Sequence, residues 1–271
     1  MAPDVTLDDI AAAVHDGCTL AIPVDYAGVA MALTAPLIRR APRNLHLVCV
    51  PTGGMQADLL IGAGLVGTVE TSAVSLGEAG GAPCFNRAVR AGSIRLREST
   101  CPAVHAGLLA AQKGVPFVPM RGLIGSDVAA NRPDWRVIQN PFADSADPIV
   151  AIPAIHPDVA IFHAPLADRD GNVWIGRRRE LAAMAYASRR TFVTVETIIA
   201  ESLFEDETVA AGVLPALYVE AVVQVPNGAR PYGLWGKYPP QTDTVIRYAR
   251  AARTPEGFEA YLADYLAGRC P

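Results

Sequence analysis

Residues 44–76 read NLHLVCVPTGGMQADLLIGAGLVGTVETSAVSL, and their order decides the fold. Positions 44–50 alternate in polarity and carry Val48 and Val50, the pattern of a strand. A helix is expected near 56–63 and a second strand over 67–76. Inside the stretch, Gly62-Ala63-Gly64-Leu65-Val66-Gly67 spells G-x-G-x-x-G. A dinucleotide-binding turn needs a strand before those glycines and a helix after them. Here the order is reversed, so Gly62 and Gly64 read as a helix stop before the next strand.

The same rhythm extends outward. Thr6-Leu7-Asp8-Asp9 is a capping sequence for an amphipathic helix that ends at Gly17. A short buried strand at 18–22 and an apolar helix over 27–40 follow. Downstream, the pattern predicts a helix at 85–91, a strand at 93–97 and a helix at 101–113. Further strands are expected at 136–139, 150–153, 159–164, 172–175, 190–196 and 218–225, with helices at 180–189, 242–252 and 255–267. Strands alternating with helices imply βαβ units, hence an α/β protein with a mostly parallel sheet covered on both faces. The loop 114–133 is rich in Gly and Pro and too long for a plain connector, which marks it as functional.

Composition excludes several classes. The chain has 271 residues, 51% of them apolar and 18% charged, with a mean hydropathy of +0.24. That is enough apolar material for a core without disulfide or metal support. A net charge of −4 argues against a nucleic-acid binder. The longest apolar stretches fall short of the roughly 20 residues a spanning helix needs, so no membrane partner is expected. The opening MAPDVTLDDI has no basic or apolar signal region, and a cytoplasmic location is expected. Cys18, Cys49, Cys84, Cys101 and Cys270 include no C-x-x-C pair, and the histidines show no metal-ligand spacing. They read as thiols of a reducing compartment, with no metal.

Three features carry potential chemistry. Glu78 lies in SLGEAGG, where glycines permit close approach of a ligand. Glu98 lies in RLRESTCP, where a strand hands over to a helix. Strand ends are where ligands bind in α/β sheets, and each glutamate is a candidate catalytic group or a surface and capping group. The run Arg177-Arg178-Arg179 is either a phosphate grip or a solvated helix start. Asp168-Arg169-Asp170-Gly171-Asn172 lacks the distal Glu of a calcium loop and reads as a turn.

Four longer strings are more specific. GVPFVPMRGLIGSDV from Gly114, DVAIFHAPLADRDGNVWIG from Asp158, RRTFVTVETII from Arg189 and LPALYVEAVVQVPNGARP from Leu214 occur in that order. Together they resemble the A subunits of family I coenzyme A transferases, in particular glutaconate CoA-transferase A subunits and the related ring-cleaving hydrolases.

The resemblance implies a Rossmann-like fold, one A-subunit domain over residues 1–271, and a hetero-oligomer with a homologous B subunit. It implies an acyl-CoA thioester and a carboxylic acid as substrates, with no permanently bound cofactor. In such transferases a glutamate attacks the thioester, and CoA passes through a glutamyl thioester to a second acid. That glutamate lies on the B subunit in a Ser-Glu-Asn-Gly motif, and no Glu-Asn-Gly occurs here. On this reading Glu98, with Glu78 as fallback, assists catalysis. Arg121, Gly125, Ser126, Asp127, Asp170, Gly171 and Asn172 line the acyl-CoA site, Arg121 as the anion contact. One departure stands out: the A-subunit Asp-Gly followed by Gly-Gly-Phe reads DGCTLAIPVDYAG, with Pro23-Val24-Asp25 replacing the glycines. It points to a diverged activity, hydrolysis of a thioester or carbon–carbon bond of an acyl-CoA; a separate alternative is a noncatalytic substrate-binding subunit, with all covalent chemistry on its partner.

Overall fold

A computed structural model describes residues 5–269; Cys270 lies outside them. The centre is a nine-stranded sheet. Its long strands lie in the order Arg95–Glu98, Val66–Thr71, Leu45–Val50, Thr19–Pro23, Val159–Asp168, Arg190–Ile199, Ala221–Gln224, all parallel. Two short strands, Val173–Trp174 and Val213–Leu214, extend it antiparallel alongside the carboxyl end of Val159–Asp168. From Thr19–Pro23 the chain first builds outward to Arg95–Glu98. It then returns to add Val159–Asp168 on the other side, so the strand order reverses between these two neighbours.

Side-chain alternation sends each strand's apolar residues into two cores. Leu45, Leu47 and Cys49 face a core closed by Leu7–Ala13, Thr34–Arg40, Met55–Gly62, Thr242–Ala251 and Pro255–Leu266, with Tyr248 and Phe258 buried in it. Val48 and Val50 face the opposite core, closed by Val104 and Leu108 of Cys101–Gln112 and by Leu181 and Met184 of Arg179–Ala187. Thr6 caps the first helix in a reciprocal capping box with Asp9. The G-x-G-x-x-G string ends Met55–Gly62 and leads into Val66–Thr71, with Gly64 left-handed at φ +76°.

Two expectations are corrected. The helix expected over 27–40 is two 3₁₀ turns, Asp25–Ala27 and Met31–Leu33, followed by the shorter helix Thr34–Arg40. Gly28 interrupts it at φ +90°, pressed so closely on the neighbouring strand that a Cβ would stand 2.1 Å from the His163 carbonyl oxygen. The loop over 114–133 contains the strand Phe117–Met120 and the helix Asp127–Ala130. With Pro148–Pro153 and Arg136–Gln139 it forms a three-stranded antiparallel annex. Leu123, Trp135 and Ile152 form a small core that packs against Ala103 of Cys101–Gln112. Among the described residues, no helix is long and apolar enough to cross a membrane.

Candidate active site

A cavity of about 1000 Å³ opens at the carboxyl ends of the parallel strands, beside the point where their order reverses. Open α/β sheets bind ligands in this position because diverging loops leave a crevice there. Its walls come from the turns after three strands: Val24–Tyr26 after Thr19–Pro23, Thr52 and Gly53 after Leu45–Val50, and Ser75–Glu78 beyond Val66–Thr71. Arg178 and the segment 232–240 complete it.

Three side-chain groups give the cavity its chemistry. Arg178 lies over the Trp235 ring with its guanidinium carbon 4.0 Å from the centroid. Burial and the adjacent Arg177 charge pull its pKa below the ordinary value. No carboxylate among the described residues is within ion-pair reach of Arg178, and a stacked, unpaired guanidinium is ready for an anion. Asp25 packs on Gly54, and burial pushes its carboxyl up to about 7 although Tyr232 hydrogen-bonds to it.

The third group holds the far wall. His163 Nε2 is 2.7 Å from Glu196 Oε1, and His163 Nδ1 is 2.8 Å from Thr194 Oγ1. The Tyr238 hydroxyl donates to the same Glu196 oxygen at 2.6 Å, and the Asn227 N–H donates to its other oxygen at 2.8 Å. Burial favours the neutral imidazole and pulls His163 below its ordinary pKa. Burial also pushes the Glu196 carboxyl up, but the bonds from Tyr238, Asn227 and His163 outweigh it and hold the pKa low. An ionised Glu196 accepts a hydrogen bond from Nε2–H, which leaves Nδ1 to accept from Thr194. The network ties the segment carrying Tyr238, and with it the cavity wall, to the middle of the sheet.

The residues singled out in the sequence are dispersed. Glu78 is on the cavity rim, in the 3₁₀ turn Gly77–Ala79. Glu98 ends the edge strand outside the cavity, its side chain exposed and its carbonyl accepting from Arg132 Nη1 at 3.1 Å. Arg132 in turn donates to Glu70 at 2.7 Å and to Asp134, which fastens the annex to this end of the sheet. Arg121 is ion-paired with Asp147. Gly125 adopts φ +76°, and Ser126 caps the short helix that Asp127 begins. None of these annex residues lines the cavity. Asp170, Gly171 and Asn172 form a turn around Asp168, whose buried carboxylate accepts the backbone N–H groups of Asp170, Asn172 and Leu203. Asp170 and Gly171 border a separate depression beside Ile198 and Ala216. His15, Cys18 and Asp158 place ligand atoms within 4.8 Å of one another at the opposite end of the sheet. Burial pushes the Cys18 thiol up to about 11, and Asp158 accepts the Thr19 N–H, so this trio is poorly disposed to hold a cation.

A doubly wound parallel sheet with a ligand-sized crevice at its switch point, holding a stacked guanidinium and a buried carboxyl group, defines an α/β small-molecule site. The chain belongs to the coenzyme A transferase family, whose model matches residues 5–225. It is 30% identical over 262 residues to the A subunit of a 3-oxoadipate CoA-transferase from Pseudomonas knackmussii, covering 94% of this chain and 90% of that protein. It is 31% identical over 276 residues to a cholesterol ring-cleaving hydrolase IpdA subunit of Rhodococcus jostii, covering 97% and 92%. The crystal structure of glutaconate coenzyme A-transferase from Acidaminococcus fermentans superposes with a TM-score of 0.87 at 27% identity, covering 97% of this chain and 88% of that one. The mostly parallel α/β fold expected from the strand–helix rhythm is the fold of this family.

Proposed function

We propose that this chain, as one domain over residues 1–271, is the A subunit of a cytoplasmic two-subunit enzyme that moves CoA between an acyl-CoA thioester and a carboxylic acid. The observation that carries this reading is the make-up of the cavity. It offers aromatic walls, an unpaired guanidinium and a hydrogen-bonding carboxyl, while Glu78 on its rim is the only glutamate lining it among the described residues. Such a surface binds and orients; the attacking carboxylate then comes from a homologous B subunit closing over the cavity. That glutamate adds to the thioester carbonyl and expels CoA thiolate, forming an acyl-glutamyl anhydride. The thiolate attacks the glutamyl carbonyl, releases the first acid and leaves a glutamyl thioester, from which an acceptor carboxylate takes CoA by the reverse steps.

In this reading Glu98 orients substrate or polarises a water, and Glu78 is its fallback. Although none of them lines the cavity, the 114–127 loop and the 167–172 turn contribute Arg121, Gly125, Ser126, Asp127, Asp170, Gly171 and Asn172 to the acyl-CoA site of the assembled two-subunit enzyme, Arg121 meeting an anion in exchange for Asp147. A second reading, hydrolysis of an acyl-CoA, is favoured by Asp25 standing where the A-subunit pattern expects glycine. In that case Glu98 takes a proton from water as it attacks. The test is assay of the chain with and without its B subunit, with acyl-CoA in the presence and absence of acetate. Acetyl-CoA formed only by the pair supports transfer; free CoA formed at the same rate without acetate supports hydrolysis.

A further inference from the structure

Asp25 takes no part in the steps above, yet the structure has made room for it. Its carboxyl lies flat on Gly54, where a Cβ would stand 1.9 Å and 2.0 Å from its two oxygens. The residue lines the cavity. Oδ1 is shielded from solvent and has no hydrogen-bond partner among the described residues. Tyr232, whose own oxygen accepts the Met55 N–H at 2.9 Å, is the neighbour that hydrogen-bonds the carboxyl. Its charge reaches the buried Cys49 thiol, and Arg178, Glu78 and Lys237 are the charged groups of the cavity around it.

A buried polar atom left unpaired costs about 1–3 kcal/mol. At a cavity wall that cost is recovered when a ligand brings the missing partner. Burial pushes the Asp25 carboxyl up to about 7, so below neutrality it holds its proton and the group that form seeks is an acceptor. A carboxylic acid kept neutral by its surroundings is an established donor to ligand oxygens in other enzymes.

We propose that Asp25 is a specificity-determining residue that donates a hydrogen bond to a second oxygen function, a ketone or a carboxylate, on the acyl chain of an acyl-CoA. This rests on the acyl-CoA reading given above. A hydrocarbon chain of the same length leaves the carboxyl unpaired, and sites built around a hydrogen bond discriminate strongly against analogues that lack it.

The experiment is calorimetric binding of acetoacetyl-CoA, succinyl-CoA and butyryl-CoA, which share a chain length, to the complex with a B subunit whose attacking glutamate is replaced by alanine, so that binding is read without covalent transfer. Wild type is expected to hold at least one oxygen-bearing thioester about 10-fold or more tighter than butyryl-CoA. Asp25→Leu abolishes that preference. Asp25→Asn, which keeps a donor and the shape, retains the preference and loses its decline above about pH 7. A preference for acetoacetyl-CoA alone identifies a ketone, and one for succinyl-CoA alone a carboxylate. Binding of all three by wild type without preference, or equal weakening of all three by Asp25→Leu, overturns the proposal alone. Failure of wild type to bind any of them overturns the acyl-CoA reading together with it.

Discussion

Glu196 and Tyr238 meet through a 2.6 Å hydrogen bond, and the Glu196 oxygen that accepts it also accepts from His163. His163 pairs with Thr194 in the register of two adjacent parallel strands, so Glu196, two residues further, faces the same side as Thr194. A sheet-borne carboxylate thereby fixes an aromatic side chain of the cavity wall. Glu196→Gln is expected to lower stability by about 1.5–3 kcal/mol, the range for hydrogen bonds to a charged group. Because the folded-state pKa of Glu196 is held low, this advantage of the wild type is present above the ordinary value of 4.5 and disappears as pH falls through the folded value. Denaturant titrations of both proteins across pH check it; a stability gap that persists unchanged in strong acid would contradict it.

Asp25 has the opposite sign. Its folded pKa of about 7 exceeds the ordinary 3.8, so the wild type loses stability as pH rises between these values and no further above them. Asp25→Asn removes that loss. Thermal denaturation is expected to show a gain in Tm that grows from about pH 4 to pH 7 and then levels off. A gain of the same size at every pH, or none, rules out a buried carboxyl that titrates near neutrality.

Arg178 tests recognition apart from stability. It has a stacking partner in Trp235 but no ion pair among the described residues, so Arg178→Met costs the fold little. The loss of one charge-assisted contact to a ligand anion is worth about 10-fold or more in KM. Steady-state kinetics of the assembled enzyme should show KM rising with Tm nearly unchanged. An unaltered KM for every acyl-CoA and acid would remove Arg178 from the site.

Glu98 is the remaining candidate for a chemical role. Its backbone carbonyl is bonded to Arg132 while its side chain is exposed on the edge strand. Glu98→Gln keeps shape and removes charge. If the enzyme hydrolyses acyl-CoA with Glu98 as general base, kcat is expected to fall about 100-fold or more with assembly intact, since general acid–base groups contribute about 10²–10⁴-fold. Wild-type turnover in this variant would leave Glu98 as scaffolding.

Local patterns in the chain are legible where their causes are local. The alternation of Leu45–Val50, the Thr6 capping box and the glycine stop after Met55–Gly62 follow from neighbouring residues. The break at Gly28 is not, because its cause is a carbonyl on a strand more than a hundred residues away. Two annex strands are legible, at 136–139 and within Pro148–Pro153, but the strand Phe117–Met120 and its antiparallel pairing with Pro148–Pro153 are not, because that partner is distant in sequence. In the site, Glu78 and the arginine run are visible as charges beside glycines or helix starts. Asp25 is visible only as an acid in a place expecting glycine, and its burial against Gly54 is a tertiary fact. The His163–Glu196 pair joins residues 33 apart and carries no sequence signal beyond the histidine of the family string.

The central claim is that this chain binds and orients an acyl-CoA while a partner's glutamate carries the covalent chemistry. Intact-protein mass spectrometry of the purified two-subunit complex, after incubation with acyl-CoA, tests it most directly. The expected result is a CoA adduct on a glutamate of the B subunit, no adduct on this chain, and no transfer by this chain alone. An adduct on a glutamate of this chain, or full CoA transfer in the absence of a partner, would contradict it.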